Sequence, residues 1–432
     1  MNAPRVRWQG ALASLSATDR AALFDRSTSS DVAIRQGTAT IIQRVRQMGD
    51  NALRELAREF DGVTLDALEV PVGRCQQALD QLNPVLRSAL ERAAANIRTV
   101  HEAFRPTAAE VSPEPGIVIG RRPDPLGRVG VYAPGGRAAY PSSVLMGAVP
   151  ARVAGVGEVI LCSPPGPTGE PSDVVLAAAA LAGVDRVFAL GGAGAITAMA
   201  YGTESVPRVD RIVGPGNAWV AEAKLQVSGA VAIDSPAGPS ELLILADDSA
   251  DLDILVREML AQAEHDPAAA VVAIVVGAGV RELASRLLAA MAREPRGTVI
   301  QAALASRGAV LAAASLDDAI VFANDWAAEH LLVATRDNDA VLPRLRNAGT
   351  VFVGTSSSVA FGDYMTGANH VLPTGGLARC YSGLSTLDFV RWTTWQRVDR
   401  AAAARLAAPV GIFADSEGLP AHAAAARQWE AR

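Results

Sequence analysis

Cysteine is scarce in this sequence. Cys75, Cys162 and Cys380 stand far apart with no CxxC spacing, which argues against a disulfide framework and a thiolate-rich zinc knuckle and fits a reducing compartment. Long apolar runs are missing too. The longest, near Ala268 to Val280, is too short to cross a bilayer, and the opening MNAPRVRWQGALASLSATDR has no sustained apolar core of the signal-peptide kind. Nor does one sign of charge dominate: 39 Lys plus Arg against 45 Asp plus Glu give −6, with no basic block to track a phosphate backbone. These absences predict a cytoplasmic protein that acts neither on nucleic acid nor in a membrane. What the chain has is apolar bulk, 50% hydrophobic residues over 432 positions. That buries more than one core and excludes a disordered binding module.

Residues 1 to about 105 carry helical periodicity, as in VAIRQGTATIIQRVRQMGDNALRELAREF, and lead into a Pro-rich stretch from Arg105 to Pro125 that reads as an extended crossover. After Gly127 the segments GEVILCSPPG, DRVFALGGAG and DRIVGPGN each run from a strand into Gly or Pro, with Ala-rich helical sequence between or after them. Their recurrence predicts βα units on one parallel sheet. SELLILAD, AVVAIVVG, GTVIQ, EHLLVAT and GTVFVGT supply strands for a second α/β domain. From about Ser382 the chain reads as a helical, polar tail, RWTTWQRVDRAAAARLA followed by EGLPAHAAAARQWEAR, expected to pack on the body or on a partner subunit.

Gly-rich turns after strands can hold a pyrophosphate or carboxylate. GGAGAI lacks the full GxGxxG spacing, however, and YAPGGRAAYPSS and GPGN read equally well as surface turns. The five histidines say more: His101, His265, His330, His370 and His422. His101 reads as a surface or helix-end residue. Gln262 and His265, three apart in AQAEHDP, face one way on a helix, whereas Glu264 points to the side. Asp363, His370, Glu417 and His422 are further N/O donors suited to zinc or a similar ion if they converge, and separate hydrogen-bonded residues if they do not. Glu329-His330, opening the run LLVA, offers an adjacent acid and imidazole for two proton transfers; a helix cap or local salt bridge explains it as economically.

Taken in order along nearly the whole chain, YAPGGRAAYPSSVLM, GTESVP, GPGNAWVAEAK, AGPSE, AQAEHD, AEHL, GDYMTGANHVLPTGG and EGLPAHA resemble histidinol dehydrogenases. The resemblance implies an α/β protein with two incomplete Rossmann-like domains, parallel-rich sheets and small helical terminal segments. It divides the chain into an N-terminal dimerisation segment (1–26), a first α/β domain with the catalytic and metal residues (27–129 and 240–381), an NAD-binding α/β domain (130–239) and a C-terminal dimerisation tail (382–432). It implies a homodimer with shared active sites, one zinc ion per subunit, and oxidation of L-histidinol through L-histidinal to L-histidine with reduction of two NAD+. Carried over by motif, Gln262, His265, Asp363 and His422 would hold zinc, His422 from across the dimer. Ser240, His370 and Glu417 would contact substrate along with His330 and the zinc ligands; Tyr132, Gly194 and Asn217 would contact NAD; Glu329 and His330 would be catalytic.

Three positions depart from the family pattern. Gly194 stands where glutamine is usual, Trp219 replaces a smaller aromatic, and SSSVAFGDY lacks the usual Pro-Glu-Ser. They keep open a related zinc and NAD-dependent dehydrogenase for another small polar alcohol, such as a sulfonated diol. A catalytically inactive metal-binding or regulatory protein is a third reading, opposed by the retained Glu329 and His330.

Overall fold

The computed structural model describes residues 5–26, 32–135 and 139–430, so the centre of the YAPGGRAAYPSS segment lies outside the described residues. Among these, the strands are β1 (Trp8–Ala11), β2 (Ala109–Val111), β3 (Ile117–Pro125), β4 (Arg128–Tyr132), β5 (Glu158–Ser163), β6 (Arg186–Ala189) and β7 (Arg211–Val213). They continue with β8 (Ala232–Ile233), β9 (Glu241–Asp247), β10 (Ala270–Val276), β11 (Gly308–Ala313), β12 (His330–Ala334), β13 (Thr350–Val353) and β14 (Val390–Val398).

Two sheets are wholly parallel. One has six strands in the order β1-β11-β10-β9-β12-β13, the other five in the order β6-β5-β4-β7-β8. Their strands read as unbroken apolar runs because helices cover both faces: Leu242 to Ala246 and Val271 to Ile274 are completely buried. The N-terminal helices Val32–Met48 and Asp50–Leu56 pack Ile42, Val45 and Leu53 against Phe188 and Ile196 of the five-stranded unit. Helix Pro84–Ala103 joins the other face of that unit through Leu90 and Ile97.

The structure differs from the sequence expectations at several places. Trp8–Ala11, inside a stretch read as helical, is an edge strand in register with Ala309 to Ala312. GTVIQ begins a helix, Gly297–Arg307, not a strand. Its β-branched residues favour a strand locally, but burying Ile300, Ala303 and Leu304 along one helical face wins. The Arg105–Pro125 crossover contains β2 and β3. RWTTWQRV is not helical but β14, antiparallel to β3 from Val390↔Pro125 to Val398↔Ile117. Trp392, Thr393, Thr394 and Trp395 are residues that fit a pleated surface, and β3 supplies the distant partner that local reading could not see.

His101 is a second kind of correction. It does end a helix, but it is 2% exposed, and neither ring nitrogen has a hydrogen-bond partner. Burial pushes its pKa down to about 4 from 6.5. The unfolded chain therefore takes up the proton first. Its contribution to stability is complete above pH about 6.5 and is lost progressively as the pH falls toward 4, by about 3 kcal/mol at most. Chemical denaturation across that window should show this slope, and His101→Leu should flatten it.

Candidate active site

The two parallel sheets face each other by opposite edges. Tyr132 ends β4, and the turns at Gly191–Gly192, Gly214 and Asp234 follow β6, β7 and β8, so the five-stranded sheet presents its C-terminal edge. Ser240 precedes β9, and Glu329 and His330 open β12, so the six-stranded sheet presents its N-terminal edge. A cleft of about 1170 Å³ runs between them. Open α/β sheets place ligands beyond the carboxyl ends of their strands; here only one wall obeys that rule.

The glycine-turn wall suits an anion-bearing, elongated ligand. Helices Gly192–Tyr201 and Ala218–Val227 begin at the cleft, with the positive ends of their dipoles toward it. Asn217 caps the second helix, its side-chain oxygen accepting from Trp219 N and Val220 N at 3.1 Å each. Tyr132 is buried, and its hydroxyl accepts from Gly192 N at 3.0 Å, which fixes the turn. Burial pushes its pKa up to about 12, so it stays a neutral phenol. Gly214 (φ +117) lies against Tyr132 O, where no Cβ fits. Beneath it, Lys224 and Asp234 form a buried ion pair, Lys224 Nζ donating to Gly214 O at 3.0 Å and Asp234 accepting from Gly214 N at 2.8 Å. Sequence reasoning missed this pair, although Lys224 closes the quoted GPGNAWVAEAK. Gly194 is buried, and a Cβ there would come within 3.0 Å of Leu56 and 3.5 Å of Leu53. Apolar side chains of helix Asp50–Leu56 therefore stand beside Gly194.

The opposite wall holds the proton-transfer groups. His330 Nδ1 lies 3.0 Å from Glu241 O. A carbonyl only accepts, so Nδ1 carries a hydrogen and Nε2 is the nitrogen at which the ring gains or loses its second proton. Nε2 has no hydrogen-bond partner and faces Asp363 Oδ1 at 3.5 Å. Glu329 is buried, 3.4 Å from His330 Nδ1, and accepts from Glu241 N at 2.7 Å. Burial pushes the His330 pKa down, but Glu329 and Asp363 outweigh it and hold it well above the ordinary imidazole range, so the ring acts as a base only once Nε2 has released its proton, and is then a strong one. Gly349 packs beneath the pair, where a Cβ would come within 2.6 Å of Glu329 O.

Gln262 and His265 leave the C-terminal end of helix Leu252–Ala263 and line the same cleft as Asp363 and His370. His370 Nδ1 donates to Asp363 O at 2.9 Å. Burial pushes the Asp363 carboxyl up, but His330, His370 and His265 together hold it below its usual value. Burial holds His370 below its usual value despite Asp363. Ten sequence-predicted site residues thus line one cleft: Tyr132, Gly194, Asn217, Ser240, Gln262, His265, Glu329, His330, Asp363 and His370. Glu417 and His422 do not. Both are exposed, at the end of helix Arg400–Ser416 and on helix Pro420–Arg427.

A family model for histidinol dehydrogenase matches residues 24–429. The chain belongs to the histidinol dehydrogenase family. A histidinol dehydrogenase of Methanosarcina barkeri is 47% identical over 91% of this chain and 91% of its own length. That of Natronomonas pharaonis is 50% identical over 96% and 97%. The crystal structure of the histidinol dehydrogenase from Elizabethkingia anophelis superposes with a TM-score of 0.93 at 30% sequence identity, covering 99% of both chains. Family membership makes the chain an NAD-dependent oxidoreductase and favours the leading sequence reading over the paralogue and the inactive protein. Among the described residues, no helix is long and apolar enough to cross a membrane.

Proposed function

We propose that this enzyme oxidises L-histidinol through L-histidinal to L-histidine, reducing two NAD+, with Glu329 and His330 as the catalytic pair. The observation that carries the reading is the His330 imidazole: Nδ1–H is engaged by Glu241 O, and the free Nε2 faces Asp363 in the cleft shared with the glycine-turn wall.

In the first step Nε2 takes the hydroxyl proton as the carbinol hydride leaves, giving the aldehyde. Glu329 then takes a proton from water as it attacks the aldehyde carbon, and Nε2–H gives its proton to the carbonyl oxygen, which yields the hydrate and returns His330 to its base form. Nε2 takes a hydroxyl proton again as the second hydride leaves, giving the acid. Tyr132, Gly194 and Asn217 on the glycine-turn wall would hold NAD, which when bound would accept the hydride in both oxidations. Ser240 and His370 contact the substrate from the cleft, and Glu417 reaches it from a second subunit.

The donor set fits zinc. Gln262, His265 and Asp363 combine an amide oxygen, an imidazole and a carboxylate, and the negative end of the helix Leu252–Ala263 dipole lies beside the first two. Among the described residues, no three His, Cys, Asp or Glu side chains form a metal site; the fourth ligand, His422, would come from a second subunit. When bound there, zinc would orient the substrate's imidazole and amino nitrogens.

A panel of L-histidinol, L-histidinal and small diols, followed by NADH formation and acid product, tests the assignment. Turnover of both histidine precursors is expected; inactivity on both by folded, zinc-loaded protein overturns it.

A further inference from the structure

Glu241 closes the AGPSE segment and opens β9, an acid at the head of the apolar run Leu242 to Ala246. On one side of β9, Ala270 N–H donates to Ser240 O and begins the ladder with β10. On the other, the ladder with β12 starts only at Leu242↔His330. The peptide groups of Glu241 are thus taken up by side chains: its N–H by Glu329 at 2.7 Å, its C=O by His330 Nδ1 at 3.0 Å. One residue's main chain orients both catalytic groups.

Its side chain is anchored in turn. Glu241 is 2% exposed; one oxygen accepts from Gly375 N at 2.7 Å and the other from Arg26 Nη1 at 2.6 Å. Arg26, 4% exposed, also donates through Nη2 to Trp326 O, and its guanidinium stacks 3.6 Å from the Trp326 ring. Trp326 ends helix Leu316–Trp326, and the chain then passes through Ala327 in the left-handed region (φ 54) to Glu329 and His330. For a residue with a Cβ that turn is strained and persists only where its surroundings impose it. Arg26 therefore ties both ends of the catalytic turn, Trp326 directly and Glu329-His330 through Glu241.

We propose that the buried Arg26–Glu241 pair is a positioning clamp for the catalytic pair, holding the Glu329 carboxylate and the His330 imidazole in the geometry for proton transfer. Neither residue lines the cleft, so the clamp acts on turnover and not on substrate contacts. It rests on the catalytic roles proposed above.

Removing one partner alone strands a buried charge, so the test uses the neutral double variant Arg26→Met/Glu241→Gln, checked for folding by thermal unfolding. A drop of about 10- to 100-fold in kcat is expected, with KM for L-histidinol and NAD within about threefold. On a His330→Ala background the same pair should cost less than about threefold, because residues acting as a unit are not additive. Arg26→Lys keeps the charge but loses the bridge to Trp326 O, and should give an intermediate kcat; it carries the same split if the double variant unfolds. Unchanged kcat in the folded variants, or a full multiplied loss on the His330→Ala background, overturns the clamp. Inactivity of the unmodified enzyme on L-histidinol would instead overturn the function on which it rests.

Discussion

Replacing His330 by alanine should lower turnover of both L-histidinol and L-histidinal by about 10²- to 10⁴-fold, the range for a positioned acid-base group. His330 offers a single nitrogen to the cleft because Nδ1 is committed to Glu241 O; His370 is held likewise through Nδ1 on Asp363 O but is the weaker base, since burial lowers its pKa while Glu329 and Asp363 raise that of His330, and His265 sits on the helix end assigned to zinc. Both oxidations draw a hydroxyl proton from the same carbon centre, so one missing base slows both. Zinc content should be unchanged, since Gln262, His265 and Asp363 remain. Glu329→Gln should separate the steps, slowing histidinal oxidation more than histidinol oxidation because only the former needs activated water. Near-normal turnover of His330→Ala in both steps, measured by single-substrate NADH assays, contradicts the base assignment; equal mild effects of Glu329→Gln contradict the division of labour.

Much of this site could be read before the fold because its residues travel in short motifs. Glu329-His330, the Gln262/His265 spacing and the turn before Asn217 are local patterns, and unbroken apolar runs such as AVVAIVV announce buried parallel strands. What escaped depends on partners far away in the chain. β14 is a strand only because β3 lies about 270 residues earlier, and the Arg26–Glu241 pair is separated by 215. His101 is an ordinary helix-end histidine until the packing around it is known. The opposed edges of the two sheets could not be anticipated either, since the sequence places Glu329-His330 at the head of a strand without saying which way that strand faces the other sheet.

Mixing two inactive variants should restore activity, and this separates a shared site from a self-contained one. Glu417 and His422 stand on a terminal helical arm outside the cleft that collects the other predicted site residues. The arm exposes Ile412 (67%), Phe413 (68%) and Trp429 (48%), apolar surface of the kind that marks a subunit contact. If His422 serves the partner's site, a His330→Ala protomer paired with a His422→Ala protomer forms one site with both lesions and one with neither. Random exchange between equal amounts makes half the dimers mixed, so the mixture should recover about a quarter of unmodified activity. His330→Ala mixed with Asp363→Ala provides the control, because both residues lie in the same cleft of one chain and no intact site can form. Activity is read after denaturation and joint refolding, with light scattering to confirm dimers. A first mixture that stays as inactive as its components, while the dimer forms, would place His422 outside the partner's site.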